Sequence, residues 1–185
     1  MKMISNLRQG QILCCALMFA LSPLGLDANI NGYLKIDDIP GESTRADHED
    51  EIDVHGIQWK IEADASSAGS GRVRGKAVVG PLKIAKFVDA SSPYLALASM
   101  QGKSLPEIIL AVRGADGAAS LDYLTITLTN VRVDSYEIKT TEGDAKPSEE
   151  VSFSFERIKY KYVVQEDDHS AGDEHEIEYD IAAGA

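Results

Sequence analysis

Three stretches of this chain alternate apolar and polar residues, and each of them changes phase partway along. The clearest covers residues 149–164, EEVSFSFERIKYKYVV. Val151, Phe153 and Phe155 share one face, with Ser152, Ser154 and Glu156 on the other. A two-residue period marks a half-buried strand, because successive side chains leave a pleated strand on opposite sides. From residue 158 the apolar set moves to Ile158, Tyr160 and Tyr162, and Lys159 and Lys161 take the opposite face. No Gly or Pro marks the switch, so the spacing predicts a bulge or bend near Glu156-Arg157 within one long strand. Residues 52–61 switch likewise at His55-Gly56, from Ile52 and Val54 to Ile57, Trp59 and Ile61. In residues 121–138, Leu124, Ile126 and Leu128 lie opposite Thr125, Thr127 and Thr129. The phase slips at Thr129-Asn130 to Val131 and Val133. Three such devices in one chain predict a mainly β fold whose sheet curves strongly into a closed or nearly closed barrel.

The other elements follow from local signals. Residues 30–37 form a first strand with Leu34 and Ile36 opposite Lys35. Residues 72–79 and 82–89 form two more around Gly80-Pro81, and residues 105–113, LPEIILAVR, form a strongly apolar one. One helix is expected: Ser92 as N-cap, Pro93 at the first helical position, and Gly102 as the stop after Gln101. Its residues are apolar on most sides, which calls for cover by the sheets or by a neighbouring subunit. Residues 45–51 follow the Pro40-Gly41 turn and contain Asp47, His48, Glu49 and Asp50 with almost nothing apolar, which predicts a solvated loop. Residues 165–176 read as a flexible acidic segment before a last weak strand at 177–181.

Residues 1–28 have the pattern of an export signal. Lys2 and Arg8 precede the uncharged run ILCCALMFAL, Pro23 and Gly25 break it, and the small Ala28 ends it. The run is short for a stable membrane span. The expectation is a secreted protein with passage through the periplasm, and a single domain at residues 29–185 carrying an acidic C-terminal segment. Both cysteines, Cys14 and Cys15, fall in the leader, so the domain has no disulfide or thiolate metal site. The net charge of −12 argues against a nucleic-acid surface, which needs clustered cations.

Nothing in the sequence assembles into a catalytic motif. There is no G-x-S-x-G, Walker A loop, H-E-x-x-H or dinucleotide glycine fingerprint. His169 and His175, with Asp167, Asp168, Asp173 and Glu174, have no fixed ligand spacing and read as a solvated charge run, as do residues 47–50. Tyr160 and Tyr162, which alternate with Lys159 and Lys161, read as packing residues. No catalytic residue, metal site or cofactor is assigned.

Four segments together resemble the Hcp family (haemolysin co-regulated protein), the tube protein of the type VI secretion system. They are YLKIDDIPGES from residue 33, SSPYLALASMQGK from residue 91, LTITLTNVRVDSYE from residue 124 and VSFSFERIKYKY from residue 151. The resemblance implies two packed antiparallel sheets forming a β-barrel with one flanking α-helix, and a structural protein that is not an enzyme. It implies a homo-hexamer whose rings stack into a secreted tube within a sheath-and-spike machine, able to carry small effector proteins. Mapped by position, the loop that helps rings stack contains Glu42, Arg45, Asp47, His48, Glu49 and Asp50, and Tyr94, Leu97 and Met100 are candidates for contacts at the helix flank. The other reading is an exported barrel of the same family that binds a ligand or partner outside the cytoplasm without a tube role.

Overall fold

The computed structural model describes residues 30–63, 77–114, 121–140, 143, 145–167 and 170–184. The export signal, most of the small-residue loop with the start of the strand expected at 72–79, and Asp168 and His169 lie outside these residues. The elements in order are β1 (Asn31–Ile36), β2 (Ile52–Val54), β3 (Gly56–Gln58), β4 (Ile61–Ala63), β5 (Ala77–Val79), β6 (Leu82–Phe87), α1 (Ser92–Gln101), β7 (Ser104–Arg113), β8 (Asp122–Lys139), β9 (Ser148–Ser154), β10 (Arg157–Gln165) and β11 (Ala171–Asp180).

Each phase change is a place where the backbone leaves one neighbour for another. The first half of β8 lies between β7 and β10, and its second half pairs with β9. Between the halves Asn130 takes a left-handed φ of 54°, which Asn tolerates better than most residues. Residues 52–61 also change neighbours but do not form the one long strand expected: β2 pairs with β1, β3 with β6, and β4, which begins at Ile61, with β5, while the His55 amide at the kink donates to the Ala85 carbonyl at 2.9 Å. The third stretch differs from expectation too, because residues 149–164 form two strands. At the break the Glu156 amide donates to the Thr129 carbonyl, whereas the Glu156 carbonyl accepts from the Ile181 amide. A residue whose two backbone groups serve different neighbours cannot continue either ladder.

The main sheet has nine antiparallel strands in the order β2-β1-β7-β8-β9-β6-β3, with β10 and β11 attached beside β8, and β4 and β5 form a separate hairpin. Among the described residues no ladder closes the ring of strands, but the kinked segment holding β2 and β3 joins its two ends. The result is the expected mainly β barrel with one helix on its flank. Its interior takes alternate residues from β1, β2 and β6 to β9, including Leu34, Ile52, Leu82, Leu110, Leu128, Val151 and Phe153, all fully buried. Burial of each such side chain contributes about 1.5–3 kcal/mol.

The helix begins one residue earlier than the Ser92 cap predicts. Ser91 occupies the cap position, and Gly102 ends the helix with φ 59° as expected. The Ser92 hydroxyl is turned inward to polar partners described below. Leu95 and Ala98 join the core, but the sheet covers only that side.

The acidic C-terminal segment contributes more strand than the weak one expected at 177–181. Residues 171–180 form β11, paired along its length with β10. Lys161 meets Glu174 at 2.8 Å, Lys159 meets Glu176 at 3.0 Å and Arg157 meets Asp180 at 3.1 Å. The alternating cations of β10 supply what the acidic run lacks when read alone, since opposite charges facing across strands stabilise a pair.

Candidate functional site

The loop after β1 is a closed structure. Gly41 donates to the Asp50 carbonyl at 2.7 Å, Ser43 to Glu51 at 3.0 Å, and Asp50 back to Ser43 at 2.9 Å. Its tip folds onto the barrel through His48. The ring is 5% exposed and stacks on Tyr33 with centroids 4.1 Å apart and planes 5° from parallel. Its Nδ1 lies 2.7 Å from Glu51 Oε2 and its Nε2 lies 3.2 Å from Asp122 Oδ1. Arg113 completes the cluster. Its Nε donates to the same Asp122 oxygen at 2.7 Å, its Nη1 donates to the Ala46 carbonyl at 3.2 Å, and its head lies over the Tyr33 ring. Burial opposes the Arg113 charge, but the hydrogen bond and charge of Asp122 outweigh it and raise the pKa.

His48 is therefore not part of a solvated surface. Of the six loop candidates, Glu42, Arg45, Asp47, Glu49 and Asp50 are exposed and His48 is an internal anchor. The physical reason is long-range: Tyr33, Arg113 and Asp122 provide an aromatic face and charges that no local pattern announces. The one local signal is Glu51, three residues on.

At the helix, Tyr94, Leu97 and Met100 are 52%, 46% and 79% exposed. They occupy one stripe at three-residue spacing. Beneath the opposite side lies a polar cluster that sequence reasoning missed. Lys86 and Glu149 are fully buried, with Nζ and Oε2 2.8 Å apart. Lys86 also donates to the Phe87 carbonyl and Asp89 Oδ1 at 2.8 Å each, and to Ser92 Oγ at 3.2 Å. Glu149 accepts from Ser92 Oγ at 2.9 Å and from the Tyr136 hydroxyl. A signal existed: Lys86 is in phase with the core residues Leu82 and Ile84, as Glu149 is with Val151 and Phe153.

Burial, and then the hydrogen bond to Glu149, push the Tyr136 hydroxyl up to about 12. A folded-state pKa raised above the unfolded value of about 10 gives stability that is complete below that value and lost as pH rises through the folded one. Stability is therefore expected to fall between about pH 10 and about pH 12. In Tyr136→Phe this alkaline step should be absent from urea midpoints measured across the range; an unchanged step would assign it to another group.

An apolar groove of about 240 Å³ lies between the β4–β5 hairpin and the β10–β11 pair, lined by Trp59, Ile61, Val79, Tyr160, Ile177 and Tyr179 among others. Ile61 and Ile177 are more than half exposed there. Among the described residues, no three His, Cys, Asp or Glu side chains are grouped to hold a metal ion. No described helix is long and apolar enough to cross a membrane.

Comparison with known proteins agrees with this architecture. Residues 33–162 match the family model described as "Type VI secretion system effector, Hcp". Protein hcp1 of Pseudomonas aeruginosa is 33% identical over 142 residues, which span 75% of this chain and 86% of that protein. A solved type six secretion system protein superposes with a TM-score of 0.78 at 28% identity, covering 84% of this chain and 98% of the other. Hcp1 from Salmonella typhimurium gives a TM-score of 0.70 at 31% identity, covering 84% and 97%. The matched span runs from Tyr33, against which His48 stacks, to Tyr162 of β10, so it takes in the loop, the helix and both halves of the kinked β9–β10 stretch. The chain belongs to the Hcp family of type VI secretion system effectors.

Proposed function

We propose that this chain is a structural, non-enzymatic subunit that closes into homo-hexameric rings, and that the rings stack into the secreted tube of a type VI machine. Family membership and the resemblance of the loop and helix segments support this reading. The observation that carries it is the stripe of Tyr94, Leu97 and Met100, three large apolar side chains left uncovered on a helix whose other side is anchored by buried charges. A contiguous uncovered apolar surface of this kind marks a contact with another protein. Ring closure is head-to-tail and requires two different patches. The helix stripe serves as one, and the groove beside Trp59 is a second apolar surface available for the other.

Stacking then falls to the exposed loop side chains Glu42, Arg45, Asp47, Glu49 and Asp50. Charged groups with no apolar anchor suit a contact that forms and separates in water. Sheath and spike components and small effector proteins are the remaining partners of such a tube. Reversing two charges with Glu49→Lys and Asp50→Lys is expected to shorten stacks on electron-microscope grids while single rings persist. Stacks of wild-type length would remove the loop from this role. A protein that sediments as a monomer at every concentration would remove the ring itself.

The export-signal pattern of residues 1–28 favours a second reading, an exported barrel that binds a partner outside the cytoplasm. Mass spectrometry of the native N-terminus separates the two, since a mature start at Asn29 supports general export and an intact Met1 supports loading into the sheath from the cytoplasm.

A further inference from the structure

We infer that Arg113 and Asp122, neither of them on the loop, form a clasp that sets the loop's position, and that His48 is the loop's hook into it. The inference rests on the reading of this loop as the stacking surface, and names what controls that surface. The charged and titratable groups that meet at the clasp come from four elements: Asp47, His48 and Glu51 from the loop, Tyr33 from β1, Arg113 from β7 and Asp122 from β8.

The geometry explains why Arg113 is needed. Two of its nitrogens act at once on different parts of the chain, Nε on the Asp122 carboxylate and Nη1 on the loop carbonyl of Ala46. A guanidinium holds these donors in a rigid fork, whereas an ammonium is a single point and cannot span both acceptors. Asp122 in turn takes Arg113 and His48 on one oxygen, so it couples the barrel cation to the loop ring. The Tyr33 face lies against both the imidazole and the guanidinium. With the tip pinned this way, the five exposed side chains are presented from a fixed backbone. Without it, the loop keeps the backbone bonds among residues 41, 43, 50 and 51 at its base and the short turn bonds at residues 45–51, but its tip is not held to the barrel by these side chains.

The test is limited proteolysis with a protease that cuts after arginine, applied to the full chain and followed by mass spectrometry at Arg45. Arg45 is exposed, but its carbonyl accepts the His48 amide at 2.9 Å, so the bond to be cut is held in a turn while the clasp is closed. Arg113→Lys and Asp122→Asn should each speed cleavage after Arg45 on the order of tenfold through local opening. The exposed control Lys139→Met should cleave at the wild-type rate. Asp122→Asn keeps the side-chain shape at a partly exposed position, and its cooperative melting is checked alongside, so a global folding defect is told apart from loop release. Wild-type cleavage rates in both variants would overturn the clasp. Faster cleavage with shortened stacks and intact rings is the expected joint result. Faster cleavage with stacks of wild-type length would leave the clasp standing and overturn the stacking role of the loop.

Discussion

Replacing Lys86 with Met is expected to lower the free energy of unfolding by on the order of 3–5 kcal/mol, the cost of breaking a buried ion pair from one side. Methionine approximates the stem of Lys86, so packing changes little. The loss arises because Glu149, fully buried, keeps only the neutral donors Ser92 and Tyr136. Desolvating a carboxylate without a countercharge is what makes such a deletion costly. Adding Glu149→Gln should recover a substantial part of the loss, since the second change removes the orphaned charge. Urea unfolding with an unchanged slope is the measurement. A cost under about 1 kcal/mol for the single variant would place the pair with exposed salt bridges and contradict its burial. The effect reaches assembly as well. Ser92 and Asp89 bind the same lysine at the start of α1, so the variant loosens the anchor of the helix that carries Tyr94, Leu97 and Met100.

The second large effect is expected at Gly41, within the IPGES segment. A Cβ added there would fall inside van der Waals distance of the Glu51 carbonyl and the Ile52 backbone. Both are main-chain atoms at the start of β2 and cannot swing aside as a side-chain tip does. The crossing strands approach closely because Gly41 donates to the Asp50 carbonyl and Ser43 to the Glu51 carbonyl. Gly41→Ala is expected to cost on the order of 3 kcal/mol, the upper end for forcing atoms into a packed site. It should also open the loop at its base, read as faster cleavage after Arg45. A variant with wild-type melting and wild-type cleavage would show that the two strands of the loop part without penalty.

The loop shows where sequence reading stopped. Its position, its turn and its charges are legible in IPGES and in the polar run that follows. The burial of His48 is not, because its partners lie at residues 33, 113 and 122 and act through space. The same limit applied to the C-terminal segment. Read alone, residues 171–176 belong to an acidic segment that precedes a weak strand; beside Arg157, Lys159 and Lys161 the whole of 171–180 is a strand. In residues 149–164 the alternation marks where the phase changes, next to the break between β9 and β10, but not what kind of change it is. A bulge and a break look alike in a pattern of alternation, and the neighbour that accepts each backbone hydrogen bond decides between them.

Alternation, phase slips, the Pro-Gly turn and the Ser-Pro start with a Gly stop determined the mainly β character of this protein, its kinks and its helix at residues 92–101. These are local properties, because side-chain direction repeats every two residues in a strand and caps act within one turn. Family membership was also legible, carried by four short segments in order. The tertiary structure decided which polar side chains are brought together, Lys86 with Glu149 and His48 with Asp122. The reason is that desolvation and Coulomb attraction depend on distance in space, and strands far apart in sequence become neighbours only when the sheet forms.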